Sequence, residues 1–157
     1  MSSALKTIYV TPAGKTATYH TREYFESALA TFGPVCGMVV LTSPDISDTL
    51  VNNLNRCKFS MPIEVICVDN PFSGMKDYWE VLSTMLEAVA KIADRFQGES
   101  IRCVVNCSGG TTKFTIWTMD LITLLHRLLP TRAFFATYDP GTCEVIFTER
   151  PMLTDKL

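Results

Sequence analysis

The sequence predicts an α/β fold: a mostly parallel six-stranded sheet with helices on both faces and a β-hairpin at its C-terminal end. Two observations lead to this prediction. Short runs rich in β-branched and apolar residues alternate with helical segments along the chain, and polar, glycine-containing turns follow two of these runs. Such alternation favours parallel strands that are joined by right-handed crossovers.

Six segments have the composition and length of strands. They are Thr7–Thr11, Gly37–Thr42, Ile63–Asp69, Ile101–Asn106, Ala133–Tyr138 and Glu144–Thr148. The last two are predicted to form a hairpin, because Asp139, Pro140 and Gly141 between them favour a turn.

Helical patterns fill most of the gaps between these strands. One helix is predicted over Thr21–Phe32, before the stop at Gly33 and Pro34, and another opens at Ser43 with proline in its first turn. A third shows the clearest apolar stripe and is followed by Gly98 at the position of a C-terminal cap. Its stripe is Tyr78, Val81, Leu82, Met85, Leu86, Val89, Ile92, Ala93 and Phe96. A fourth follows Gly109 and Gly110 and ends before Pro130, which completes a Rossmann-like pattern.

Length and composition predict one domain over residues 1–157, since 47% of the residues are hydrophobic and can form a single core. The net charge of −2 argues against long nucleic acid as a partner. No apolar run reaches the roughly 18 residues of a membrane helix, and Met1–Thr7 does not resemble a signal peptide. We therefore expect a cytoplasmic protein with no membrane partner.

The six cysteines are predicted to be reduced core residues, because several lie in apolar strand-like runs and none forms a C-x-x-C pair. They are Cys36, Cys57, Cys67, Cys103, Cys107 and Cys143. With only His20 and His126 as further candidate ligands, the sequence predicts no metal site, and it predicts no cofactor.

Two predicted strand ends carry the candidate site, because open parallel sheets bind ligands at the carboxyl ends of their strands. The first turn comprises Thr11, Pro12, Ala13, Gly14 and Lys15. The second comprises Asn106, Ser108, Gly109, Gly110, Thr111, Thr112 and Lys113. Paired glycines, free amides at a helix start and a lysine suit a phosphate group, although a tight structural loop would also use the glycines. Thr42 and Ser43 are predicted at the rim of the same site, where helix capping alone would also explain Ser43.

Two common nucleotide-binding motifs are excluded. Gly14, Lys15 and Thr16 resemble the end of a P-loop, but the position five residues before Gly14 is Tyr9, inside the predicted strand. G-x-G-x-x-G is absent from both turns, so a nicotinamide or flavin site has no support.

The second turn, Asn106 to Lys113, resembles the N-x-[ST]-G-G-T-[KR] motif of CRISPR-associated Rossmann-fold (CARF) domains. The first turn, from Val10 to Thr16, is similar to the V-[ST]-P-x-G-x-[ST] motif of that family, and the resemblance extends over nearly the whole chain. The sequence departs from the family by an extra threonine before Lys113. Either the helix starts one residue later, or Thr112 takes the place of the basic residue.

The resemblance implies a homodimer that binds a cyclic oligoadenylate, with cyclic tetra-adenylate as the first candidate. The stand-alone family members that resemble this architecture include ring nucleases, which cleave the messenger and switch off type III CRISPR antiviral signalling. Cleavage needs no metal, because the ribose 2′-hydroxyl is the nucleophile, and the products are linear with a 2′,3′-cyclic phosphate. An output domain would have to come from a partner chain.

Catalytic roles follow as expectations. Lys113 is expected to face the charge that develops on the phosphate, and an ordinary solvated lysine is its structural alternative. Thr11 is expected to hydrogen-bond ribose or phosphate, unless it only satisfies a strand-end amide. His20 is a candidate general base, with a capping or surface role as its alternative.

Two other functions stay open at this stage. A non-catalytic sensor or sponge would bind the same ring and act with a separate effector subunit. A nucleotide-binding domain outside CRISPR biology would lack a pocket that bridges both copies of Gly109 and Gly110.

Overall fold

The structure is a computed structural model that describes residues 5–68, 75–108 and 112–151, without the side chains of 75–77 and 112–116. The strands in these ranges are β1 Lys6–Pro12, β2 Val35–Thr42, β3 Ile63–Cys67, β4 Ile101–Asn106, β5 Thr131–Asp139 and β6 Glu144–Arg150. The helices are α1 Lys15–Tyr19, α2 Thr21–Phe32, α3 Pro44–Cys57, α4 Met75–Asp94 and α5 Thr112–Leu125.

The six strands form one sheet in the order β3-β2-β1-β4-β5-β6. Strands β1 to β5 pair in parallel, and β6 pairs antiparallel with β5. The predicted fold class and its C-terminal hairpin are therefore confirmed. The central position of β1 explains why its residues from Thr7 to Pro12 are all buried, since a central strand is covered on both faces.

Alternate residues of β1 enter two separate cores. Ile8 and Val10 face α4 and α5, where Leu82 and Trp117 are also buried. Tyr9 faces the opposite layer, which consists of α1, α2 and α3. Both helical layers therefore pack on the same central strands, and the carboxyl ends of these strands emerge between the layers.

Close packing between β2 and α4 depends on a glycine. A Cβ atom at Gly37 would lie 2.6 Å from Cγ2 and 2.9 Å from Cδ1 of Ile92. The absence of a side chain at this position allows α4 to approach the sheet.

Several element bounds differ from the sequence prediction. Helix α1 was not predicted, because its five residues are too few for an apolar period. Strand β3 ends at Cys67, and the predicted final residue Asp69 lies outside the described residues. Helix α4 ends at Asp94, so Gly98, at φ +84°, lies in the turn that follows instead of directly capping the helix.

The cysteine prediction was partly wrong. All six cysteines are free thiols, and Cys36, Cys103 and Cys107 are buried as expected. Cys67 and Cys143 are exposed, because the first ends an outer strand and the second lies in the hairpin turn. Among the described helices, none combines the length and apolarity needed to cross a membrane.

The hairpin rises above the carboxyl edge of its neighbours. The last residue of β4, Asn106, pairs with Phe134, and β5 continues five residues further to Asp139. At about 3.3 Å per residue, β5 extends roughly 16 Å beyond the end of β4. The hairpin thus forms a wall beside the strand ends on which the predicted site depends.

Candidate anion-binding site

The two predicted turns leave neighbouring strands. β1 and β4 are paired in parallel up to Val10 and Val105, so Thr11 and Asn106 follow side by side. This placement agrees with the sequence prediction, which required the two turns to lie at the same edge of the sheet. At this edge each of the two strands is followed by a helix, β1 by α1 and β4 by α5. Open α/β sheets bind ligands at this edge.

Asn106 uses all of its side-chain hydrogen bonds inside the protein. Its Nδ2 atom donates to the hydroxyl of Thr11 at 3.1 Å and to that of Tyr24 at 2.7 Å. Its Oδ1 atom accepts from the amide of Ser108 at 3.0 Å and from its hydroxyl at 2.7 Å. Since the side chain is fully buried, Asn106 joins β1, α2 and the second turn instead of presenting a polar group at the surface.

Ser108 connects the second turn to the hairpin wall. Its hydroxyl oxygen accepts a hydrogen bond from the amide of Ala136 at 2.6 Å and also lies 3.0 Å from the carbonyl oxygen of Ala136. The amide of Cys107 donates to the carbonyl of Phe134 at 2.7 Å. The second turn therefore runs along β5 as far as Ser108.

Two tyrosines complete a buried polar cluster beneath the turns, which we call the floor cluster: Tyr9, Thr11, Tyr24, Asn106 and Ser108. Burial raises the pKa of Tyr9 well above its ordinary value, and Tyr24 adds to the shift, whereas Thr11 and Asn106 oppose it. Burial also raises the pKa of Tyr24. Among the described residues, no atom forms a well-directed hydrogen bond with the Tyr9 hydroxyl. Both phenols therefore remain neutral, and the Tyr24 hydroxyl accepts a hydrogen bond from Asn106.

The first turn is fixed by the edge of β2. Its Thr11 hydroxyl donates to the carbonyl of Pro12 at 2.7 Å, and both residues are buried. The amide of Ala13 donates to the carbonyl of Leu41 at 2.7 Å, and the hydroxyl of Thr42 donates to the carbonyl of Ala13 at 3.1 Å. Pro12, Ala13 and Thr42 thus serve as a rigid base for the turn.

The exposed part of the first turn begins at Gly14. This residue is half-buried and precedes α1, whose first residue, Lys15, is exposed. The Gly14 carbonyl accepts from the Thr18 hydroxyl at 2.8 Å, which closes the short helix. Lys15 is therefore held next to the strand ends on a fixed backbone, and its side chain faces solvent.

Ser43 precedes α3 at the same edge, next to Thr42. Its hydroxyl donates to the Asp45 carboxylate and makes no capping hydrogen bond to a helix amide. The expected capping contact of this side chain is therefore not formed, although Ser43 occupies the N-cap position.

The structure describes only part of the second turn. Gly109, Gly110 and Thr111 lie outside the described residues, and Thr112 and Lys113 are described by their backbone alone. α5 begins at Thr112, so the backbone of Lys113 lies in the first turn of a helix whose start faces the strand ends.

His20 lies on the hairpin side of this edge, at the junction of α1 and α2. Its ring stacks on that of Tyr138 with centroids 4.8 Å apart and planes 26° apart. Its Nδ1 atom lies 3.2 Å from the Tyr138 hydroxyl. Sequence reasoning proposed His20 but did not find Tyr138, because 118 residues separate them and no local pattern joins them.

A separate open pocket of about 290 Å³ lies on the outer surface of α1, α2 and α3. It is lined by Tyr19, Thr21, Arg22, Glu23, Asn53, Arg56 and Cys57. Asn53 is ten residues, or about 15 Å of helix, along α3 from Ser43 at the strand-end edge. Arg22 also forms an exposed ion pair with Glu26 at 3.0 Å, so it belongs to this outer surface.

Within the described ranges, no group of three or more histidine, cysteine, aspartate or glutamate side chains converges as a metal site. The described residues instead offer the backbone of the first turn, Lys15, the start of α5 at Thr112, and the His20 imidazole at the wall. These groups suit a phosphate-bearing ligand.

The fold and the two strand-end turns define a Rossmann-like α/β domain. No family model and no curated protein sequence matches the chain. Among solved structures, it is similar to Can2 from Sulfobacillus thermosulfidooxidans in complex with cyclic tetra-adenylate, with a TM-score of 0.52 and 14% identity over 89% of this chain and 36% of that one. It is also similar to Csm6 from Enterococcus italicus bound to cyclic hexa-2′-fluoro-hexa-dAMP, with a TM-score of 0.56 and 12% identity over 89% of this chain and 35% of that one.

The chain thus spans about a third of the length of each of these two proteins. At such low identity the likeness concerns the fold. The chain shares the fold of the matched regions of these two proteins, which agrees with the fold that the sequence resemblance implied.

Proposed function

We propose that the protein binds a cyclic oligoadenylate at the carboxyl edge of β1 and β4, with cyclic tetra-adenylate as the first candidate. The observation that carries this proposal is the hydrogen bond between Asn106 and Thr11, which fixes the two strand-end turns side by side. The likeness in fold to two proteins whose structures contain cyclic oligonucleotides supports the choice of ligand class.

The residues divide into a supporting set and a contacting set. Thr11, Asn106 and Ser108 hold the turns from beneath, since their polar atoms bond within the chain. We assign the contacting role to the remaining groups of the two turns and their rim: Gly14, Lys15, Ser43, Gly109, Gly110, Thr111, Thr112 and Lys113. Backbone amides and the two lysines of this set would neutralise the phosphates.

We further propose that the ring is cleaved without a metal ion. The 2′-hydroxyl of one ribose gives its proton to His20, the candidate general base, and its oxygen forms a bond to the adjacent phosphorus. The bond from phosphorus to the 5′-oxygen of the next nucleotide breaks, and that oxygen takes a proton from water. The product is linear, with a 2′,3′-cyclic phosphate and a 5′-hydroxyl, and Lys113 stabilises charge on the phosphoryl oxygens.

A homodimer belongs to the same proposal. A cyclic ligand with rotational symmetry suits a site in which two copies of the same turns face each other across a two-fold axis. The dimer would double the number of lysines and helix starts around the ring. The molecular mass of the free and the ligand-bound protein in solution tests this part.

The deciding experiment incubates the purified protein with cyclic tri-, tetra- and hexa-adenylate in chelator, and separates the products by chromatography. Binding is measured in parallel by calorimetry for the wild type and for Lys113→Ala. Lys91→Ala is the matched control, since this exposed lysine lies in the last turn of α4, at the opposite end of the helix from the strand-end edge.

Turnover by the wild type that Lys113→Ala loses while it keeps binding supports the ring nuclease. Tight binding by the wild type without turnover assigns the protein to a sensor or sponge that acts with a separate effector subunit. If none of the three rings binds, the proposed function is wrong.

A further inference from the structure

We propose that Tyr138 is a positioning residue that holds the imidazole of His20 ready to accept the proton of the ribose 2′-hydroxyl. This inference rests on the proposed function and adds to it the residue that orients the base. Tyr138 belongs to the hairpin wall, and none of the motifs that define the two turns includes it.

The wall places Tyr138 next to the second turn. The Ser108 hydroxyl accepts from the amide of Ala136, and Tyr138 follows two residues later with its side chain on the same face of β5. Two residues of strand correspond to about 7 Å. The aromatic pair of His20 and Tyr138 therefore lies about 7 Å further along β5 than the contact between Ser108 and Ala136. This distance is comparable to the spacing of adjacent nucleotides.

The backbone of His20 is also tied to the floor cluster. Its amide donates to the carbonyl of Thr16 at 2.9 Å, and its carbonyl accepts from the amide of Tyr24 at 2.9 Å. The hydroxyl of Tyr24 in turn accepts from Asn106 at 2.7 Å. A displacement of His20 would thus disturb the same network that fixes the two turns, so the imidazole keeps a defined position relative to them.

The contact with Tyr138 fixes the ring as well as the backbone. Stacking at 4.8 Å sets the plane of the imidazole, and the 3.2 Å contact sets which nitrogen faces the phenol. When Nδ1–H donates to the phenol oxygen, the lone pair lies on Nε2, the nitrogen that is not engaged in this hydrogen bond. His20 is exposed, so this nitrogen is accessible to a ligand bound at the two turns.

The charged and titratable groups around the pair keep the phenol neutral. Loss of solvent, the Cys143 thiol, and the carboxylates of Glu23 and Asp139 all raise the pKa of Tyr138. These groups come from α2, from the end of β5 and from the hairpin turn. A neutral phenol accepts a hydrogen bond from the imidazole without taking its proton, as an orienting partner must.

In the step itself, Nε2 takes the proton of the 2′-hydroxyl while the 2′-oxygen bonds to phosphorus and the bond from phosphorus to the 5′-oxygen breaks. The imidazolium then returns its proton to water, and the 5′-oxygen has taken one from water. No proton is gained or lost overall. General base catalysis of this kind contributes about 10²- to 10⁴-fold to a rate.

The test separates the ring of Tyr138 from its hydroxyl. Single-turnover rates and dissociation constants for cyclic tetra-adenylate are measured for wild type, Tyr138→Phe, Tyr138→Leu and His20→Ala. We expect each dissociation constant to stay within about threefold. The rate should fall by about 3- to 10-fold in Tyr138→Phe, which keeps the stacking, and by about 100-fold in Tyr138→Leu and His20→Ala.

The cleavage rate in the presence of added imidazole is a second measurement, which would not change if His20 had a purely structural role. Added imidazole should restore part of the rate in His20→Ala and leave Lys113→Ala inactive. Full activity in Tyr138→Leu, together with inactive Lys113→Ala, overturns the positioning role and leaves the proposed function intact. Equal losses of binding and rate in both Tyr138 variants also overturn it, and a wild type that binds no ring overturns both proposals.

Discussion

The side-chain amide of Asn106 donates to the hydroxyl of Thr11 at 3.1 Å, which links the ends of β4 and β1 beyond their last backbone pair. The same amide reaches Tyr24 on α2, so one buried residue connects two strands and a helix. Strand-end turns are usually the mobile parts of an α/β domain. Here the network beneath them restrains both turns at once.

Asn106→Leu is expected to lower the free energy of unfolding by about 2–4 kcal/mol. Leucine is similar in size but leaves the Ser108 amide without its acceptor and removes the bonds to two hydroxyls. Denaturant titration measures the loss. Asn53→Leu is the matched control, since Asn53 makes one partly buried bond to the Thr18 carbonyl. Equal losses in the two variants would contradict a central role for Asn106.

Ser108→Ala is expected to release the second turn from the wall. The Ala136 amide loses its acceptor at 2.6 Å, which should cost about 1–2 kcal/mol of stability and speed hydrogen exchange at that amide. Affinity for the cyclic ligand should fall as well, because the turn becomes less ordered. Ser27→Ala, which removes an exposed hydroxyl on α2, is the control. Unchanged exchange at Ala136 would rule out the link.

Much of this site was predictable because its signals are local. A strand end followed by hydroxyls, glycine and lysine is visible within eight residues, and the parallel pattern of strands places both turns at one edge. The order of the strands then made β1 and β4 neighbours, as the prediction required.

The supporting residues were not predictable in the same way. Tyr24 lies 82 residues from Asn106, and the sequence pattern predicts only an ordinary apolar position of an amphipathic helix for it. His20 and Tyr138 meet only because the hairpin extends past β4, which depends on the register between β4 and β5. Register of this kind is set by the packing of the whole sheet and has no local sequence signal.

Gly37→Ala tests the close approach of α4 to the sheet. The new methyl group would lie 2.6 Å from Cγ2 of Ile92, and both residues belong to packed elements that cannot shift freely. We expect a loss of about 1–3 kcal/mol in thermal or denaturant unfolding. The double variant Gly37→Ala/Ile92→Ala should lose less unfolding free energy than the sum of the losses in the two single variants, because the second change removes the clash. Strict additivity would contradict this explanation.

The two most deeply buried thiols of β4 and its following turn should make stability fall at alkaline pH. Burial raises the pKa of Cys103 to about 12, with a further contribution from Cys36. Burial also raises the pKa of Cys107 to about 11, although Arg150 and a backbone hydrogen bond oppose the shift. In the unfolded chain a thiol ionises at about pH 8.5 to 9. Above that pH the unfolded state releases protons that the folded state keeps, so the free energy of unfolding decreases as pH rises.

Each thiol should contribute up to about 1.4 kcal/mol per pH unit between its unfolded and folded pKa values, and nothing below about pH 8. Urea titrations in reductant at pH 7, 9 and 10 should therefore show a smaller decline for Cys103→Ala/Cys107→Ala than for wild type. Cys67→Ala is the control and should keep the wild-type decline, because it leaves both buried thiols in place. If all three proteins lose stability in parallel, the alkaline decline has another origin than these two thiols.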